Sequence, residues 1–197
     1  MSRQIVVSKK AIAIASSRQL PEYLTKDQVQ KLFETKTIAK KERNKLLLSV
    51  MWQTGARISE VLSIKVKDID FYGKTIKLTN LKRKNQTWKI IPIKDSLVGQ
   101  LGIYVASNKL SPEDKLFSIT RYRADQIIRQ AAKEAGLPPK LRHCHILRHS
   151  FAVHCLRSGV PITTVQRWLG HSSILNTLVY TQITAEESAV FMQNVEF

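Results

Sequence analysis

Five polar residues in two blocks could do chemistry on an anion: Arg57 in "TGARISE", His145 and Arg148 in "HILRHS", His171 in "LGHSS" and Tyr180 at the end of "NTLVY". A phosphodiester is negatively charged and repels nucleophiles, so cleaving one without a metal needs fixed cations on its non-bridging oxygens. Paired guanidiniums suit that task, because each stays charged and its planar fork can hold two oxygens at once. Arg57 stands just past a glycine helix stop, and Arg148 lies three residues after His145 on one helix face, so the two cations can converge on one phosphate. His171 directly follows Gly170, a second glycine stop, where a side chain can project into a cleft, and Tyr180 comes nine residues later. The same stretch admits a metal reading, since His145 and His149 are one turn apart with Cys144 and His154 near in sequence. No Glu follows His145 as in metalloproteases, so no metal is expected. His149, Phe151, Trp168 and Cys155 read as packing residues.

The charge balance points the same way. Lys and Arg number 32 against 15 Asp and Glu in 197 residues, a formal charge of +17. Such an excess suits a polyanionic partner, and it is spread along the chain with local density in "KKERNK" (40–45) and "LKRKNQTWK" (81–89), not confined to a tail. No run approaches the roughly 18 apolar residues of a membrane span. The apolar run Ala11 to Ala15 is shorter than a signal-peptide core, so a cytoplasmic location is expected. Cys144 and Cys155 are too few for a disulfide framework and read as free thiols.

The elements that must position these residues can be read from the pattern. Residues 1–23 read as a basic arm. "LTKDQVQKLFE" opens a helix with Thr25 as N-cap and Gln28 completing a capping box. "KERNKLLLSVMWQTG" gives a second helix stopped by Gly55, and "ARISEVLSI" a short third with Ile58, Val61 and Leu62 inward. The period then changes from helical to alternating: "DIDFYGKTIKLT" predicts a hairpin around Tyr72-Gly73-Lys74, and "WKIIPI" a third strand beyond the basic loop 80–87. Helices resume at about 95–107 and 122–135, the second ended by Gly136. Two more, "HILRHSFAVHCLRSG" and "ITTVQRWLG", and a short "SILNTLVY" follow, and Thr184 with Glu187 opens a last helix over 184–197. The fold class is therefore mainly α, a helical core with a small three-stranded antiparallel sheet.

"TGARISEVLSIKVKDID" followed by "HILRHSFAVHCLRSGVPITTVQRWLGHSSILNTLVYTQI" resembles the catalytic domain of the tyrosine recombinase (phage integrase) family, in order and spacing, over about residues 22–183. The resemblance divides the chain into an arm (1–23), a catalytic domain (24–183) and a C-terminal helix (184–197), whose apolar residues could dock on this domain or, as often in the family, on a neighbouring protomer. It implies a site-specific DNA recombinase in which Tyr180 attacks the scissile phosphate, giving a 3′-phosphotyrosine and a free 5′-hydroxyl. Arg57, His145, Arg148 and His171 assist, and Glu60 orients Arg57. A tyrosine of pKa about 10 is a poor nucleophile near neutrality without a base or local cations, which His145 and the arginines could supply. His171 would bond a phosphate oxygen. A hairpin lysine protonates the leaving oxygen; Lys84 matches best, although Arg83 and Asn85 stand where the family often has Gly, which leaves Lys82 a competitor. Lys82, Arg83, Lys89 and Arg142 are expected DNA contacts.

No ATP, metal or other cofactor is implied, since the phosphotyrosine stores the energy for rejoining. The implied partners are duplex recombination sites, a homo-tetramer on two such sites, and accessory DNA-bending proteins. With only about 23 residues before the catalytic block, the layout is similar to the short recombinases of fimbrial phase switches, and a fragment of a longer enzyme would look the same. Two alternatives share these residues: a DNA-binding relative without catalysis, and a type IB topoisomerase-like nicking and closing enzyme.

If Lys84 is the general acid, Lys84→Ala slows cleavage by roughly 10²- to 10⁴-fold. Sulfur in place of the scissile 5′-bridging oxygen restores most of that rate, because a thiolate leaves without a proton, while Arg148→Ala stays defective. Rescue of Lys82→Ala instead moves the role two residues back.

Overall fold

The computed structural model describes residues 21–80, 87–170, 177, 179 and 180. The first 20 residues, the hairpin tip with Lys82, Arg83 and Lys84, His171, and the tail helix expected over 184–197 lie outside the described residues.

Leu24 is fully buried; its N–H donates to Ser150 Oγ at 2.7 Å, and its carbonyl accepts from His154 Nε2 at 2.8 Å. The Tyr23 ring lies 5.4 Å from the Arg157 guanidinium carbon. The expected arm boundary at 23/24 thus falls inside a packed segment. Helix α1 (Lys26–Glu34) begins as its sequence dictates: Gln28 N–H donates to Thr25 Oγ1 at 3.2 Å while Thr25 N–H donates to Gln28 Oε1 at 2.9 Å. A single turn, α2 (Lys36–Ala39), follows with Ile38 fully buried; four residues are too few for periodicity to reveal it.

Helix α3 (Glu42–Thr54) carries Leu46, Leu47, Leu48, Val50 and Met51, all buried, so it is apolar on most of its circumference. Such a helix must be covered on several sides. It packs against α2, α5 (Asp95–Ser107) and α7 (His145–Arg157). Gly55 ends it in the left-handed region at φ 59°, and the short helix α4 (Ile58–Val61) follows at once with Ile58 and Val61 buried.

The sheet is antiparallel in the order β1 (Ile69–Asp70), β2 (Thr75–Asn80), β3 (Thr87–Pro92). The β1–β2 turn holds Lys74 at φ 53°, and Asp70 Oδ1 accepts from Gly73 N–H at 2.7 Å. Ile76 pairs with Ile91 and Leu78 with Lys89, so the period of two places Lys89 on the buried face beside Ile91. Trp88 and Ile90 take the outer face at 60% and 49% exposure. Helix α6 (Arg121–Glu134) buries Ala124, Ile127, Ile128, Ala131 and Ala132. Helix α8 (Ile162–Leu169) ends at Gly170, left-handed at φ 67°.

Most buried apolar residues form one large core. A second, smaller cluster gathers Phe151, Ala152, Val153 and Leu156 of α7, Val165 and Leu169 of α8, and Val179 and Tyr180. Among the described residues, no helix is long and apolar enough to cross a membrane.

Gly55, at the end of α3, sits close under Phe151 of α7, since a Cβ there would stand 2.3 Å from Phe151 Cδ1. Gly55→Ala is expected to destabilise the fold by about 2–5 kcal/mol, combining left-handed strain with overpacking. Gly136→Ala, at φ 70° with nothing within 4 Å, should show only the strain of about 1–2 kcal/mol. Urea unfolding measures both, and equal losses would mean that Phe151 moves aside freely.

Candidate active site

Arg148 is the buried centre of the site. The residue is 5% exposed, and its guanidinium donates from Nη1 to the Gly55 carbonyl at 2.8 Å and from Nη2 to the Leu169 carbonyl at 2.7 Å. Both acceptors lie at helix C-termini, where carbonyls lack intrahelical partners and carry the negative end of the helix dipole. The two glycine stops, Gly55 and Gly170, therefore turn the chain so that α3 and α8 aim their ends at one cation. Burial pulls the Arg148 pKa down, helped by the Arg57 charge, to about 10, which leaves it charged at neutral pH.

Arg57 is held by Glu60. Its Nη1 donates to Oε1 at 2.8 Å and its backbone N–H to Oε2 at 3.1 Å, so one carboxylate fixes both the side chain and the start of α4. Glu60 is 2% exposed. Burial pushes its pKa up, but the Lys89 charge and the Arg57 hydrogen bonds outweigh that and hold it below the ordinary value.

Lys89 departs from its expected role. It is no free surface contact: its side chain is 8% exposed, and its ammonium lies 3.1 Å from Glu60 Oε2 and 3.3 Å from the same Leu169 carbonyl that Arg148 uses. Burial lowers its pKa to about 8, with Glu60 opposing and the Arg148 and Arg57 charges adding to the fall. Strand alternation carried the signal, since Ile91 faces inward and Lys89 is two residues before it.

Tyr180 is 2% exposed within the second cluster, and its hydroxyl meets His149 Nδ1 at 2.7 Å. Burial raises the phenol to about 12, against a lowering by the Arg148 charge. His149 falls to about 4, through burial first and then His145, His143 and Arg148. The sequence assigned His149 to packing; the face shared by 145, 148 and 149 was the available clue. His145 begins α7 on that face, three residues before Arg148.

Arg142 bonds the Leu137 carbonyl through Nε at 2.6 Å and lines, with Lys36, Lys40, Lys41, Arg123 and Lys133, a concavity of about 730 Å³. The Cys144 thiol donates to Asp125 Oδ1 at 3.1 Å and is pushed up by burial, as is Cys155. Among the described residues, no group of three His, Cys, Asp or Glu is placed to hold a metal ion.

A helical domain with a small antiparallel sheet, one arginine held by two helix ends, a second held by a buried carboxylate and a buried tyrosine has the fold of tyrosine recombinase catalytic domains. The chain belongs to the phage integrase family, whose model matches residues 22–187. It is 35% identical over 174 residues to a tyrosine recombinase of Pseudothermotoga lettingae, covering 86% of this chain and 59% of that protein. Tyrosine recombinase XerC of Roseiflexus sp. is 35% identical over 188 residues, with 87% of this chain and 58% of that one covered. The chain thus spans under two thirds of the length of these relatives. The crystal structure of XerA recombinase superposes with a TM-score of 0.75 at 26% identity, over 92% of this chain and 68% of that one. The catalytic domain of bacteriophage HP1 integrase gives 0.62 at 25% identity, covering 85% of this chain and 92% of that one.

Because Glu60 and Lys89 are both buried, removing either strands the other. Lys89→Met and Glu60→Gln are each expected to cost about 3–5 kcal/mol in urea unfolding. The double variant should lose about 1–3 kcal/mol less than the sum. Strict additivity would show that the pair is not coupled.

Proposed function

We propose that this chain is the catalytic part of a site-specific DNA recombinase, which cuts and rejoins duplex DNA through a phosphotyrosine at Tyr180. The observation that carries the reading is the convergence on α7. Arg148, pinned by two helix ends, lies within electrostatic reach of both Arg57 and Tyr180, although 123 residues separate positions 57 and 180. A guanidinium has five N–H donors, and two here serve the carbonyls, so donors remain to meet a phosphate without moving the group. Attack by the phenolic oxygen puts further charge on the non-bridging oxygens, which fixed cations stabilise most in the transition state.

In this reading Arg57 and Arg148 hold the scissile phosphate, Glu60 and Lys89 keep Arg57 in place, and His145 and His171 add donors to the phosphate. Lys84 at the hairpin tip gives the leaving 5′-oxygen its proton. The chemistry calls on neither ATP nor a metal ion. Duplex DNA is the substrate: the related XerH recombinase, 26% identical with a TM-score of 0.71 over 88% of this chain and 55% of its own, has been solved bound to its difH substrate before cleavage. The basic concavity around Arg142 and the charge of +17 supply backbone contacts. Exchange between two sites calls for a homo-tetramer, with the tail helix docking in trans and DNA-bending proteins assisting; action in the cytoplasm follows from the substrate.

Tyr180→Phe removes only the phenolic oxygen and is expected to bind a captured site within a few-fold of wild type while forming no denaturation-resistant protein–DNA adduct. An adduct from that variant would place the nucleophile elsewhere. Binding should weaken steeply with salt, by roughly 0.9 log units per log unit of salt for each phosphate contacted. A flat dependence would remove duplex backbone recognition from the account.

A further inference from the structure

Tyr180 presents a chemical difficulty that the phosphate-binding cations do not solve. Its hydroxyl sits in an apolar cluster and ionises only near pH 12. At pH 7.5 on the order of one phenol in 10⁴ to 10⁵ is a phenolate. A group must therefore take the proton as the oxygen bonds to phosphorus. Arg148 cannot, because a guanidinium has no acceptor, and His145, the other imidazole on that helix face, serves the phosphate in the reading above. Lys89 is committed to Glu60 and the Leu169 carbonyl.

We infer that His149 is a catalytic residue of strand cleavage: its Nδ1 accepts the phenolic proton as Tyr180 Oη bonds to phosphorus, and returns it when the strand is rejoined. The inference rests on the recombinase reading above and adds the proton acceptor to it. Its geometry is a direct contact of 2.7 Å between the imidazole nitrogen and the oxygen that would react. In the tautomer with hydrogen on Nε2, the phenol donates and Nδ1 accepts. His149 is the residue after Arg148 on α7, so the Oη atom is held by the imidazole within reach of the Arg148 charge. Proton acceptor and phosphate clamp are thus set by one turn of one helix.

The step balances. The Oη–P bond forms, the P–O5′ bond breaks, the Oη proton goes to His149 Nδ1, and the 5′-oxygen takes a proton from a separate cationic donor, the role expected of Lys84. In the reverse step the 5′-hydroxyl returns its proton to that donor and His149 reprotonates Oη. The groups facing His149 are Tyr180, His145, His143 and Arg148. Without an anion, burial first and then the basic neighbours His145, His143 and Arg148 keep it neutral, at a pKa of about 4, and so able to accept. Transfer in the resting site is unfavourable. A bound phosphate offsets the surrounding positive charge and raises the imidazole's basicity as phosphorus makes the phenolic oxygen acidic.

The test uses the full chain and a nicked duplex selected from a randomised pool by covalent capture on the wild-type protein, with single-turnover adduct formation as the readout. His149→Ala and His149→Gln are both expected to bind this duplex within a few-fold of wild type and to form adduct 10²- to 10⁴-fold more slowly, as loss of a general base does. Their rates should climb tenfold per pH unit from 7 to 9, where wild type changes little, because the variants depend on free phenolate. A fluorinated tyrosine at position 180, which ionises more easily, should recover much of the variants' rate, a rescue that a packing role would not give. Normal rates in a folded variant would overturn the inference, and so would faster ones, which would make His149 a restraint on Tyr180. If neither variant folds, the fluorinated tyrosine in the wild-type background decides: a change of less than tenfold supports assisted proton loss, and a gain matching the fall in phenol pKa overturns it. A wild-type protein that captures no DNA from the pool would instead remove the recombinase reading, and this inference with it.

Discussion

A buried guanidinium suspended between two helix ends is the constraint on which the rest depends. Moving a charge out of water costs several kcal/mol after relaxation, and Arg148 meets that cost with the carbonyls of Gly55 and Leu169, each at the negative end of a helix. Neither carbonyl would be available without the left-handed turns at Gly55 and Gly170, which stop α3 and α8 where they do. Phe151, three residues after Arg148, packs so closely over Gly55 that no larger residue fits there undisturbed. Helix stops, glycine conformation and cation placement form one device, and it binds the two halves of the motif together.

The same device leaves the site with surplus positive charge. Arg57 and Lys89 both pair with the carboxylate of Glu60, and both Lys89 and Arg148 lose proton affinity to burial and to their cationic neighbours. The protein maintains this repulsion with structure: strand alternation turns Lys89 inward, and α4 presents Glu60 to it. An anion arriving here relieves the repulsion and finds its donors already oriented, so little reorganisation is left for the reaction. Tyr180 behaves oppositely. It is neutral, buried and bonded to His149, so the proposed nucleophile is held by the apolar cluster and not by the charged one.

The family motif was legible because its residues are polar, ordered and separated by unmistakable stops; Gly55 and Gly170 announced themselves, as did the capping box at Thr25 and Gln28. The sheet was legible from its alternation. The inward face of Lys89 is hidden in the sequence because a basic cluster reads as solvent-facing until register is applied residue by residue, and Trp88 and Ile90 on the opposite face are the exposed residues of the strand. His149 was read as packing because a histidine on a partly apolar helix commonly is; only the fold reveals that Tyr180, 31 residues on, returns to it. One-turn α2 and the packing of Tyr23 and Leu24 against α7 arise from tertiary contacts with no local pattern.

The central claim is that Arg148 serves the charge on the phosphate's non-bridging oxygens. It is tested most directly by replacing one of those oxygens at the scissile position with a neutral methyl group. On the natural phosphate, Arg148→Ala should be slowed by at least roughly 10²- to 10³-fold, the usual loss of a transition-state donor. On the methylphosphonate it should cleave within about tenfold of the wild-type protein, because the charge it neutralised is gone. An equal defect on both substrates would contradict the account and reduce Arg148 to a residue that only holds α3 and α8 together.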